Sequence, residues 1–174
     1  MLTIRAERPD DHDAIAAVVA AAFGSPVEAR LVERIRASAS YRAPLALVAD
    51  LDGEVVGHVM VSDADLHTPV GVRRLAMLSP LAVAPDHHNQ GIGGELVRTA
   101  CRLAGEAGDI VVVLEGSPTY YGRFGFEPSA TYGIELPIPD WASPAASQAL
   151  WLGEVDPTMT GRVVYSSAFD EVSG

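Results

Sequence analysis

A chain of 174 residues has the length of one ordinary domain, and its 48 % hydrophobic and 20 % charged residues are the composition of a globular protein rather than a disordered one. Twelve basic against twenty-three acidic residues leave a formal charge of −11, which repels a phosphate backbone, so nucleic acid is not an expected partner. Every basic residue is arginine; the absence of lysine excludes a Schiff base, a pyridoxal phosphate linkage and a Walker-type phosphate lysine.

A short strand over Leu2 to Ala6 opens the chain, and the charged residues Arg5, Glu7, Arg8 and Asp10 stand where a signal peptide would have its apolar core. Ile15, Val18, Val19, Ala22 and Phe23 recur at helical spacing, and Gly24 ends that helix. Pro26 starts a second helix with Val27, Leu31 and Ile35 on one side, which stops near Ser38 to Ser40. Leu45 to Leu51 and Glu54 to Val61 are strands joined by Asp52-Gly53, a strong hairpin signal. A looser segment with His67, Pro69 and Gly71 leads to a strand over Arg73 to Val83, in which Pro80 marks a local break in pairing.

Gly91 to Ala107 carries Leu96, Val97, Ala100, Leu103 and Ala104 on one helical face, followed by an apolar strand over Asp109 to Leu114. Two strands joined through a helix are most simply parallel, so the expected fold is α/β of the α+β kind, a mixed, mostly antiparallel sheet flanked by helices. A short helix over Pro118 to Arg123 and late strands over Tyr132 to Leu136 and Gly161 to Tyr165 complete the chain, the last two separated by a proline-rich stretch. No repeat or linker interrupts this order, so one domain over residues 1–174 is expected. No run approaches the roughly 18 apolar residues of a membrane span, which makes a cytoplasmic location without a membrane partner the expectation. Cys101, the single cysteine, sits in a helical pattern as a small buried residue.

The segment His88-Asn89-Gln90-Gly91-Ile92-Gly93-Gly94 follows a strand and opens a helix. Glycines there let the backbone approach a ligand, and the free amides and dipole of a helix N-terminus favour an anion such as a pyrophosphate. An ordinary strand-to-helix turn also uses glycine. Neither rival phosphate motif fits: there is no Gly-x-x-x-x-Gly-Lys, and Leu96 occupies the third glycine of the dinucleotide pattern.

In this segment the chain resembles the GNAT superfamily of N-acetyltransferases, whose acetyl-CoA signature is Gln/Arg-x-x-Gly-x-Gly/Ala between a strand and a helix. Tyr120-Tyr121-Gly122-Arg123-Phe124-Gly125-Phe126 is similar to the family's second motif, an aromatic-Tyr pair followed by Gly-Phe after the fifth strand. The resemblance implies a splayed parallel strand pair around the cofactor, with Leu81, Ala82 and Val83 along the pantetheine arm. It further implies that His88, Asn89, Gln90, Gly91, Ile92, Gly93 and Gly94 form the pyrophosphate turn. His88 departs from the usual Gln or Arg; since its ring is charged only part of the time near neutrality, cofactor affinity is expected to fall as pH rises.

Membership implies acetyl transfer from acetyl-CoA to a primary amine on a small molecule, a peptide or a protein, by direct attack on the thioester. Tyr121 would be the general acid, a phenol of reference pKa about 10 protonating a thiolate of about 8.5 on the cysteine scale. A strand amide near Leu81 to Val83 would hold the oxyanion. The base is open among Glu115, His58, Asp63, Glu28 and a water chain, because Ala76-Met77-Leu78-Ser79-Pro80 lacks the carboxylate many relatives carry there. No metal is expected, since His87-His88 has no third ligand at a recognisable spacing. Arg98, Arg102 and Arg123 are candidates for the 3′-phosphate of CoA. A non-catalytic acyl-CoA-binding module is the alternative function, and either a monomer or a homodimer is compatible with the chain.

Overall fold

A computed structural model describes residues 1–170, so the last four residues of the expected domain lie outside the described residues. In chain order it comprises β1 (Leu2–Ala6), α1 (His12–Phe23), α2 (Val27–Arg36), β2 (Ala46–Leu51), β3 (Glu54–Thr68), β4 (Gly71–Val83), α3 (Ile92–Glu106) and β5 (Val111–Glu115). The remainder is α4 (Pro118–Gly122), β6 (Glu127–Pro128), β7 (Ile134–Glu135), β8 (Ser147–Trp151) and β9 (Gly161–Val164). The sheet order is β1-β2-β3-β4-β5-β8-β6, with β9 pairing β3 and β7. Most neighbours are antiparallel; β4 and β5 are parallel, as are β7 and β9.

Alternation along the strands sends side chains to two cores. Val48, Met60 and Ala64 pack with Ile15, Val19, Leu31 and Ile35 of α1 and α2. Leu47, Val59, Ala76 and Leu78 pack with Leu96, Val97, Ala100 and Ala104 of α3 on the opposite face. Gly57 lets β3 approach α3, since a Cβ there would stand 3.0 Å from Leu96 Cδ1 and 3.2 Å from the Ala82 carbonyl oxygen.

Asp52 and Gly53 both take positive φ, 52° and 92°, as a tight two-residue hairpin turn requires. The segment expected to be loose around His67 is instead a continuation of β3, which pairs with β4 down to Thr68 and Gly71 and also with β9 from Asp65 to His67. Opposite Pro80 the register shifts: Val59 faces Leu81 and Val61 faces Leu78, so Ser79 and Pro80 together oppose Met60. This two-against-one bulge re-aims the last residues of β4. The proline-rich stretch also holds a strand that the sequence reading omitted: β8 runs antiparallel to β5 from Ser147 to Trp151.

Candidate active site

The β4–β5 ladder is short. Ala76 pairs with Val112 and Met77 with Val113, and beyond these β4 has no strand neighbour on that side among the described residues. Two clefts open where the strands part, and Leu81 and Phe23 line both.

The first cleft, of about 640 Å³, lies between the end of β4 and the start of α3. Between them the chain passes through left-handed backbone at Asn89 (φ 63°) and Gly91 (φ 80°), and Gly91 adopts it without the steric cost of a Cβ. Gly91 is the residue preceding α3 and offers no capping side chain, so the first-turn amides of Ile92, Gly93 and Gly94 have no intrahelical acceptor. Of the ten residues expected at a cofactor, the nine other than Gln90 line this cleft; Gln90 is exposed beside it. Gly93 and Gly94 also make room for aromatic rings: a Cβ on Gly93 would stand 2.4 Å from the Tyr120 hydroxyl, and one on Gly94 3.4 Å from Phe124.

His88 Nε2 lies 2.9 Å from the Val83 carbonyl oxygen and donates to it, closing the turn back onto β4. That bond needs a hydrogen on Nε2, which a neutral ring supplies, so the ring's observed role does not depend on its charge. Arg123 stacks over Tyr120 at 4.5 Å and Arg98 over Phe124 at 5.0 Å, and both arginines line the cleft. Arg102 does not; it pairs with Glu106 one turn on, at 3.0 Å.

The second cleft, of about 700 Å³, lies on the other side of Leu81. Tyr121 lines it from α4, whose start is capped by Ser117 accepting from the Tyr120 amide. The phenol ring packs so close to Gly116 that a Cβ there would stand 2.5 Å from Tyr121 Cε2, and Phe126 meets the ring edge-on at 5.8 Å. Burial, followed by the neighbouring Tyr120 and Cys101, pushes the Tyr121 phenol well above its usual range, so the hydroxyl keeps its proton at any physiological pH. Cys101 itself is buried and pushed up to about 12, which makes it inert packing.

The four base candidates separate cleanly. His58 is fully buried among the α1 and α2 contacts, hydrogen-bonded to Glu7 at 3.0 Å, and lines neither cleft. Asp63 faces Arg42 at 3.7 Å and Arg74 at 3.6 Å and also lines neither. Glu115 and Glu28 both line the second cleft. Glu115, at the end of β5, accepts a hydrogen bond from the Tyr165 hydroxyl.

Sequence reasoning missed two residues that build this wall. Gln148 on β8 is 1 % exposed and donates through Nε2 to the Gly116 carbonyl oxygen at 2.9 Å, fixing the turn between Glu115 and Tyr121. Tyr165 holds Glu115 from 50 residues away. A buried glutamine in an unrecognised strand and a tyrosine beside a short late strand leave no periodic signal. Among the described residues no group of three or more His, Cys, Asp or Glu is placed to hold a metal ion. No helix among them is long and apolar enough to cross a membrane.

The family model described as "Acetyltransferase (GNAT) domain" matches residues 3–129, which span β1 through the Tyr120–Phe126 motif. The chain belongs to the GNAT acetyltransferase family. Among the relatives of this GNAT chain is the uncharacterized N-acetyltransferase YjhQ of Escherichia coli, 36 % identical over 133 residues, covering 75 % of this chain and 74 % of that protein. The uncharacterized N-acetyltransferase YhbS of the same species is 34 % identical over 139 residues, covering 79 % and 81 %. The crystal structure of E. coli YhbS in complex with CoA superposes with a TM-score of 0.86 at 31 % identity, over 97 % of this chain and 92 % of that one. A GNAT acetyltransferase of Brucella melitensis in complex with acetyl-CoA gives 0.79 at 32 % identity, over 98 % and 99 %. The mixed sheet, opened where the parallel strands β4 and β5 part, is the GNAT fold, and the protein is an acyltransferase by family.

Proposed function

We propose that this GNAT domain, one unit over residues 1–174 and cytoplasmic, moves an acetyl group from acetyl-CoA to a primary amine by direct attack on the thioester. The observation that carries this is the meeting of two clefts at Leu81, one bounded by an uncapped helix start and the other by Tyr121 and three carboxylates. The amides of Ile92, Gly93 and Gly94 suit a pyrophosphate, with Gly91 giving the backbone its left-handed turn and His88, Asn89 and Gln90 forming the approach. The free edge of Leu81, Ala82 and Val83 suits the amide groups of a pantetheine arm and a carbonyl oxygen that gains charge. Arg98 and Arg123, stacked at the mouth, offer guanidinium groups to a phosphate.

Acetyl-CoA supplies an activated acyl carbon to the junction of the clefts. A neutral amine nitrogen forms the new C–N bond as the C–S bond breaks; the nitrogen gives up a proton and the departing sulfur takes one from Tyr121. An ammonium substrate therefore ends as an amide with one net proton released to solvent. Glu115 is the acceptor for the nitrogen's proton, since it stands next to Gly116, against which the Tyr121 ring packs.

Incubation with acetyl-CoA and a panel of primary amines, followed by free thiol, is expected to show amine-dependent release above the hydrolytic background. Acetyl-CoA binding without such release would leave a non-catalytic acyl-CoA-binding module, and no binding would overturn the proposal. A monomer or a homodimer is compatible with it, and neither nucleic acid nor membrane takes part.

A further inference from the structure

The wall of the second cleft carries three carboxylates, Glu28, Glu115 and Asp140, and no arginine or histidine. Phe23, Leu31, Pro80, Ile138 and Phe169 add apolar surface to the same cleft. Glu115 already receives the Tyr165 hydroxyl and precedes Gly116, against which the Tyr121 ring packs. Glu28, in the first turn of α2, is different: its Oε2 is buried and has no hydrogen-bond partner. A buried carboxylate oxygen left without a donor is costly, and an ammonium group supplies both the donor and the charge.

The reacting nitrogen cannot be that ammonium. It must shed its charge before it attacks, and a carboxylate held against it would stabilise the protonated form and oppose the reaction. A second cation on the same molecule has no such conflict, because it keeps its charge from binding through product release. The apolar walls between the carboxylates suit a methylene spacer, and the volume is that of a small-molecule site.

We propose that the acceptor is a small aliphatic diamine, with Glu28 pairing with the ammonium that is not acetylated. The inference rests on the acetyltransferase reading above. It makes Glu28 a specificity-determining residue and disfavours acceptors that carry their own carboxylate, which would face three like charges.

The test compares three acceptors of equal length, a five-carbon terminal diamine, the five-carbon monoamine and the five-carbon terminal amino acid, by thiol release from acetyl-CoA, with acetyl-CoA affinity measured calorimetrically in parallel. For the wild type, kcat/KM for the diamine is expected to exceed that for the monoamine by about ten-fold, mainly through KM, and the amino acid to rank last. In E28Q the diamine-to-monoamine ratio is expected to fall to about one, with acetyl-CoA affinity retained as evidence of folding. A wild-type enzyme that prefers the monoamine or the amino acid, or a lysine peptide over all three, overturns the diamine assignment while leaving the acetyltransferase standing. Turnover of none of them with acetyl-CoA bound also overturns it, and loss of acetyl-CoA binding in the wild type removes the underlying reading as well.

Discussion

Tyr121→Phe is expected to lower kcat by about 100- to 1000-fold while acetyl-CoA affinity stays within about two-fold of wild type, the usual range for losing a general acid. The split follows from position: Tyr121 lines the second cleft and is absent from the first. Burial raises the phenol and so widens its mismatch with a free thiolate in water. The same dry surroundings penalise an exposed thiolate still more, because a localised charge leaving the thioester loses its hydration there too. Proton transfer concerted with C–S cleavage avoids both ions. Since Phe keeps the ring that packs on Gly116 and meets Phe126 edge-on, the substitution isolates the hydroxyl. Steady-state kinetics with calorimetric acetyl-CoA titration checks this, and an unchanged kcat would remove Tyr121 from the mechanism.

Glu7→Gln is expected to destabilise the protein by about 3–5 kcal/mol, although Glu7 touches neither cleft. Its side chain is 1 % exposed and accepts from Arg36 Nε at 2.6 Å, from the Tyr41 hydroxyl at 3.0 Å and from His58 Nε2 at 3.0 Å. One carboxylate thus ties the turn after β1 to α2 and to the middle of β3. Burial alone would raise its pKa, but the hydrogen bonds from His58 and then Arg36 outweigh burial and hold it at about 2 against an ordinary 4.5. Glutamine keeps the shape and removes the charge, leaving the Arg36 guanidinium unneutralised. At about 2–4 °C per kcal/mol for a chain of this size, the midpoint of thermal unfolding is expected to fall by roughly 10 °C.

The sign of the pH effect follows from the depressed value. A lowered carboxylate pKa stabilises the fold fully above the unfolded value of 4.5 and progressively less as pH falls towards about 2. The stability gap between wild type and Glu7→Gln is therefore constant above about pH 5 and narrows below it. His58 adds to the acid sensitivity of the wild type, since burial lowers its pKa and the unfolded chain binds the proton more readily. Denaturant melts at several pH values read the gap, and a gap that widens on acidification would contradict this account.

What could be read from the sequence was what the backbone needs locally. Gly91 at φ 80° and Asp52-Gly53, both at positive φ, are residue types that favour left-handed backbone, so these positions announced a helix start and a hairpin. The α3 face was legible because every third or fourth residue is buried against the sheet. What failed depended on partners far along the chain. Ser147 and Gln148 are polar yet buried, since Gln148 is satisfied by the Gly116 carbonyl oxygen, and so β8 lacked an apolar signal. The tail of β3 is ordered by β9, almost a hundred residues later, which His67 and Thr68 do not reveal. The base candidates could be named but not ranked, because only the fold sends Glu28 and Glu115 to one cleft and seals His58 behind Glu7.

In a crystal structure of the protein grown with coenzyme A, the diphosphate is expected against the main-chain amides of Ile92, Gly93 and Gly94, with the thiol end directed past Leu81 towards Tyr121. A diphosphate bound elsewhere, or a first cleft that coenzyme A does not enter at saturating concentration, would contradict the proposed function.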